Sequence, residues 1–128
     1  MGIDFGLAKI GLATSHGVLA EPYEVIRYNN INTLIARLKE IIKRERVGEI
    51  VIGVSEGNSA IKARSFGEEL KKSSGTKVFY EDETLSTQEA QSLARQAGLP
   101  RKKRKGLEDS YAAALILQSY LDRKGIEG

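Results

Sequence analysis

The sequence predicts one α/β domain over residues 1–128, built on a five-stranded mixed sheet flanked by helices. Three strands should run antiparallel, and two more should add by parallel crossovers. Three observations predict this. Short apolar runs broken by tight glycine turns fill the first 28 residues. From Thr33 the apolar spacing changes to that of a helix. Helix-spaced segments then alternate with two short apolar runs, Glu49 to Val54 and Lys77 to Tyr80. A chain of 128 residues that is 41% apolar can bury one proper core and leaves no room for a second domain.

Each element has its own local cause. Ile3-Asp4-Phe5 reads as a strand, Gly6 to Ala8 as a turn, and Lys9 to Thr14 as a second strand in which Ile10 and Leu12 alternate with small residues. Ser15-His16-Gly17 reads as another turn and Tyr23 to Tyr28 as a third strand; connections this short allow only antiparallel neighbours. Leu34, Ile35, Leu38, Ile41 and Ile42 form one stripe of a helix from Thr33 to Val47, with Asn32 as its N-cap. Ile50-Val51-Ile52 is continuously apolar, as in a strand buried on both faces. A Ser/Glu/Gly/Asn/Ser loop leads to a helix with Ala63, Phe66, Gly67 and Leu70 inward, ended by Ser73-Ser74-Gly75 before the fifth strand. Ser86-Thr87-Gln88-Glu89 has capping-box spacing and opens a helix that stops at Gly98 and Pro100. After a basic run and Gly106, a last helix spans about Leu107 to Arg123. Right-handed crossovers then place the first strand at the sheet centre beside the fourth, an arrangement similar to the ribonuclease H-like fold.

Composition narrows the chemistry. There is no cysteine, so thiolate metal sites and disulfides are excluded, and one histidine, His16, cannot make a zinc site alone. No P-loop and no Ser/His/Asp set is present. The chain opens on Met1-Gly2-Ile3-Asp4 without leader-like features, and its apolar runs are far shorter than the ~20 residues that span a bilayer. The expectation is a cytoplasmic protein without a membrane partner. Net charge is +3, but Arg101-Lys102-Lys103-Arg104-Lys105 alone carries five positive charges, leaving the rest slightly acidic. Such a concentrated segment suits either a solvated face or an anionic partner met at one place.

Three acidic positions carry the chemical argument. Asp4 lies on the central strand between Gly2 and Gly6, where a carboxylate calls for a cation and the glycines could admit a phosphate; it could instead be a turn aspartate. Glu81-Asp82-Glu83 ends the fifth strand, where a cation or the next helix's N-terminus would relieve the repulsion. Glu56, after the fourth strand, could also reach a shared metal. Asp109, beside Glu108, is expected in the first turn of the last helix, where Ala112 and Ala113 let the helix lie close to the sheet; the helix dipole is the competing explanation. Together these are what two divalent ions ~3.5–4 Å apart need to hold a scissile phosphate. All-oxygen ligands favour Mg²⁺ or Mn²⁺.

The same residues carry a family likeness. Gly2-Ile3-Asp4-Phe5-Gly6 with Lys9-Ile10-Gly11-Leu12-Ala13, Asp82-Glu83-Thr84-Leu85-Ser86-Thr87-Gln88-Glu89-Ala90, the basic run, Asp109-Ser110-Tyr111-Ala112-Ala113 and Ile116 to Leu121 resemble, in order and end to end, the YqgF/RuvX family. Its members are described as pre-16S ribosomal RNA nucleases and as Holliday junction resolvases, and share the ribonuclease H-like fold with RuvC. The resemblance implies that Asp4, Glu83 and Asp109 bind metal and catalyse, with Asp82 in support. The chain departs from the family in its loop after Gly53, which is shorter and lacks a proline, and in His16, which replaces an acidic residue.

The leading expectation is therefore metal-dependent phosphodiester hydrolysis of precursor 16S ribosomal RNA, then of a branched DNA junction. Lys9 and Arg101 to Lys105 would contact phosphates. The expected state is a monomer or weak homodimer. An actin-like ATPase also carries Asp-x-Gly on a first hairpin but needs two such domains. A catalytically inactive binding module would keep the fold without the metal.

Overall fold

The structure, a computed structural model, describes residues 1–55, 57–82 and 101–127. Strands β1 (Gly2–Phe5), β2 (Lys9–His16) and β3 (Leu19–Arg27) form the antiparallel meander. Strands β4 (Glu49–Val54) and β5 (Lys77–Asp82) add in parallel, giving the sheet order β3-β2-β1-β4-β5. The central place of β1 follows from its connections. A three-residue turn fixes β2 on one side, and the crossover through α1 (Ile31–Arg44) brings β4 to the other.

The two sheet faces are covered differently. Helices α1 and α2 (Asn58–Ser74) cover one face, where Ile3, Ile10, Leu12, Ile50 and Ile52 meet Leu34, Leu38, Ile41, Phe66 and Leu70. Burying each such aliphatic side chain stabilises the fold by roughly 1.5–3 kcal/mol. Helix α3 (Arg101–Glu127) covers the other face, packing Ala113, Ile116, Leu117 and Tyr120 on Ala13 and Val51. The run Ile50-Val51-Ile52 therefore alternates between two covered faces, which is why no polar residue interrupts it.

Several boundaries differ from the sequence expectation. Helix α1 is capped by Asn30 rather than Asn32: the Asn30 carboxamide oxygen accepts from the Asn32 amide at 2.7 Å, as an N-cap does for its second following residue. Strand β3 begins at Leu19, and β2 runs through His16, which is exposed at a strand end instead of inside a turn. Helix α2 ends where expected, on Gly75 in the left-handed region, whose amide donates to the Lys71 carbonyl. The largest correction is α3, which starts at Arg101 and not near Leu107, so the basic run is helical and Gly106 lies inside the helix. Lysine and arginine are good helix formers, and one interior glycine costs only about 1 kcal/mol. The helix expected after Ser86 lies outside the described residues. Among the described residues, no helix is long and apolar enough to cross a membrane.

Candidate nuclease site

The site begins with strand register. Asp4 is paired with Gly11 on β2 and with Gly53 on β4, so glycines stand on both sides of it across the sheet. In an antiparallel pair, directly opposed residues point to the same face. At Gly11 that face belongs to α3: a β-carbon there would collide with the Asp109 carbonyl and lie 2.7 Å from the Ser110 nitrogen. Asp4 and Asp109 are thus brought to the two sides of one glycine, 105 residues apart in sequence. Gly2, one pleat earlier on the same face, touches the Ala113 carbonyl and Leu117 in the same manner. The successive contacts show that α3 runs antiparallel to β1, so its amino-terminal turns extend past the carboxyl end of that strand.

These contacts revise the roles expected of two glycines. Gly2 and Gly6 do not leave room for a phosphate. A β-carbon on Gly2 would strike α3, and one on Gly6 would lie 2.6 Å from the Lys9 carbonyl of the hairpin. They permit close backbone packing. Asp109 is also the ninth residue of α3, not a first-turn residue, so the dipole at the helix N-terminus does not account for it.

The electrostatics centre on Asp109. Its Oδ2 atom is buried and, among the described residues, accepts no hydrogen bond. The Lys9 ammonium lies 3.0 Å from that oxygen. The distance is that of an ion pair, but the angles are not those of a hydrogen bond. Lys9, expected to meet phosphate, here meets a carboxylate. Ser110, the next residue, is 1% exposed.

The acidic group on β5 divides. Glu81 pairs with Gly53 and so lies in the same row as Asp4, two strand spacings or roughly 10 Å away. It is buried and accepts a hydrogen bond from Arg123 near the end of α3. Asp82 is exposed, and the pleat turns it to the face opposite Asp4, which does not suit the supporting role expected of it. Glu83 and Glu56 lie outside the described residues. Among the described residues, no group of three or more His, Asp or Glu comes together that could hold a metal ion. For Arg101, Lys102, Lys103, Arg104 and Lys105, the described backbone is helical and ends four residues, about 6 Å along the axis, before Asp109.

Roomy cavities lie elsewhere among the described residues, two of them at opposite ends of the sheet. One of about 400 Å³, with Phe5, Tyr28, Lys62 and Phe66 on its walls, opens on the α1/α2 face. The other, about 380 Å³, lies at the opposite end of the sheet from Asp4, beside His16 and Glu49. Asp4 and Asp109 line neither one.

Sequence reasoning missed Gly11 and Gly53, the Lys9–Asp109 pair and the separate fate of Glu81. Gly11 was out of reach: counting outward from the Gly6 to Ala8 turn sets Ile10 opposite Asp4, one residue off the observed register.

A mixed five-stranded sheet in the order β3-β2-β1-β4-β5 with helices on both faces is the ribonuclease H-like fold, and defines the class by architecture. Within that class, the family model described as "RuvX: Holliday junction resolvase" matches residues 1–123, and the chain belongs to this family. It is 40% identical over 130 residues to a protein of Anaeromyxobacter sp., with 95% of each chain covered. It is 38% identical over 136 residues to one of Moorella thermoacetica, covering 100% of this chain and 97% of that one. Both relatives carry the name "Putative pre-16S rRNA nuclease". Among solved structures, Thermus thermophilus RuvC in complex with a Holliday junction substrate superposes with a TM-score of 0.64 at 18% identity, covering 97% of this chain and 94% of that one.

Proposed function

We propose that this chain is a divalent-metal-dependent nuclease that hydrolyses phosphodiester bonds, with the 5′ end of precursor 16S ribosomal RNA as its substrate. The observation that carries the reading is the register that sets Asp4 opposite Gly11, against which the Asp109 backbone packs. Membership of the RuvX family and the name shared by the relatives support it. We take residues 1–128 as one catalytic domain working in the cytoplasm.

The side chains fit a hard cation. Among the described residues, Asp109 Oδ2 is a buried oxygen without a hydrogen bond, and Asp4 offers a second hard donor on the same face. Asp4, Asp109 and Glu83 would hold Mg²⁺ or Mn²⁺. When bound, such ions supply positive charge for the phosphoryl oxygens and lower the pKa of a water. The protein's own part is placement. Gly11 sets the separation of the two aspartates, and the helical run from Arg101 to Lys105 offers positive charge beyond the strand end, where a phosphate backbone can follow it. No base-reading element is needed for this contact.

A second reading, cleavage of a branched DNA junction, is favoured by the family description and by the RuvC superposition. A junction needs two sites related by a twofold axis, so this reading requires a dimer, whereas RNA trimming proceeds with a monomer. The deciding experiment incubates wild type and Asp4→Asn with labelled precursor 16S RNA and a four-way junction in parallel, with sedimentation of the same samples. The expected outcome is Mg²⁺- or Mn²⁺-dependent cleavage of the RNA by a monomer, abolished by Asp4→Asn. Junction cleavage by a dimer would transfer the assignment to the second reading. Cleavage that survives excess chelator would remove the metal from the account.

A further inference from the structure

Lys9 is the first residue of β2, and Gly11, two positions on, faces α3; the pleat therefore turns Lys9 to the same face. Its ammonium reaches the one oxygen of Asp109 that, among the described residues, is buried without a hydrogen bond. A carboxylate oxygen out of water and without a directed donor is stable only with positive charge nearby. Lys9 supplies that charge from a side chain that is 38% exposed and free to swing on four methylenes. We propose that Lys9 is an internal counter-cation: it neutralises Asp109 in the metal-free protein, competes with the divalent ion for that oxygen, and is released towards the substrate phosphate when the ion binds.

This inference rests on the reading of Asp4 and Asp109 as metal ligands and adds a cost and a consequence to it. The cost is metal affinity, because the ion must displace a resident charge. The consequence is that the released ammonium stays tethered at the site rim, so a cation reaches the phosphate only in the loaded protein. Lys9 is then a positioning residue, acting through Asp109 in one state and on the phosphate in the other. A lysine that served only to stabilise the fold would leave metal affinity unchanged or weaken it when lost.

The test is calorimetric titration of MnCl₂ into the full chain without nucleic acid, comparing wild type, Lys9→Met and Lys9→Arg, each with Asp109 intact and as Asp109→Asn. The pair is partly exposed, so its loss should tighten Mn²⁺ binding by about three- to fivefold in Lys9→Met. Lys9→Arg keeps the charge and should stay within about twofold of wild type. In the Asp109→Asn background Lys9→Met should gain nothing, which isolates the pair. Unchanged or weaker Mn²⁺ binding by Lys9→Met, with wild type binding normally, overturns the inference alone. Failure of both wild type and Lys9→Met to bind Mn²⁺ sinks the metal reading itself, and this inference with it.

Discussion

At Gly11 the volume a β-carbon would need is already held by the Asp109 backbone, and the helix could make room only by lifting from the sheet. Gly11→Ala should therefore destabilise the protein by roughly 3 kcal/mol, the upper range for overpacking a core, and should also lower cleavage by displacing Asp109. A urea melt and an RNA cleavage assay on the same sample check both effects. At the other end of the sheet, Glu49 accepts hydrogen bonds from Lys124 and Tyr120. The Lys124 contact first, then Tyr120, holds its carboxyl below the usual carboxylate value of 4.5. A depressed carboxylate pKa stabilises the fold above the unfolded value and loses that contribution as pH falls through the folded one. Wild type should thus lose its advantage over Glu49→Gln as pH drops below about 4.5, in thermal melts taken from pH 7 to 3. At this scale the sequence made Asp4 and Asp109 legible, because an acid on an apolar strand and one beside two alanines are both locally odd. Lys9 gave no such sign: a lysine at the start of a strand is ordinary, and its partner lies 100 residues away.

Elements followed from the sequence wherever a period changed. The shift from alternation to helical spacing near Thr33, the unbroken Ile50-Val51-Ile52 run and the left-handed Gly75 stop each had one physical cause. The start of α3 did not, because a glycine at 106 is a local break signal, while the helix continues through it among lysines and arginines, good helix formers. The N-cap of α1 fell two residues before the expected Asn32, because the backbone at Asn30 is extended and its side chain makes the capping bond. Asn30→Ala should cost about 1 kcal/mol, while Asn32→Ala should be close to neutral in the same melt. Helix α3 has no acidic residue in its first turn and begins with positive charge, opposed to its dipole. Replacing Arg101 to Lys105 by glutamine should leave stability equal or slightly higher while weakening nucleic-acid binding. Circular dichroism and a binding titration on the same variant show whether the two move in opposite directions.

The whole molecule divides its labour between two sheet faces. The face under α1 and α2 is bulky and aliphatic, whereas the face under α3 combines Val51, Ile116, Leu117 and Tyr120 with alanines and with Gly2 and Gly11, where backbone can meet backbone near Asp4. That division was only partly legible. Ala112 and Ala113 announced close approach, but which glycines received the helix depends on strand register, which emerges when the sheet assembles. Charge is divided too: the basic run of α3 carries +5 on an otherwise slightly acidic chain. Binding to single-stranded RNA should fall with salt, and the glutamine variant should flatten the log–log slope by up to about 0.7 per charge removed. An unchanged slope would reassign the run to a solvated surface. Central to the account is that Asp4 and Asp109 act on one cation as a unit. The most direct test is Mg²⁺-dependent RNA cleavage by Asp4→Asn, Asp109→Asn and the double variant. Each single substitution should lower the rate by on the order of a thousandfold, and the double should be no worse than either. Losses that multiply in the double variant, or an Asp109→Asn protein that cuts at the wild-type rate, would contradict it.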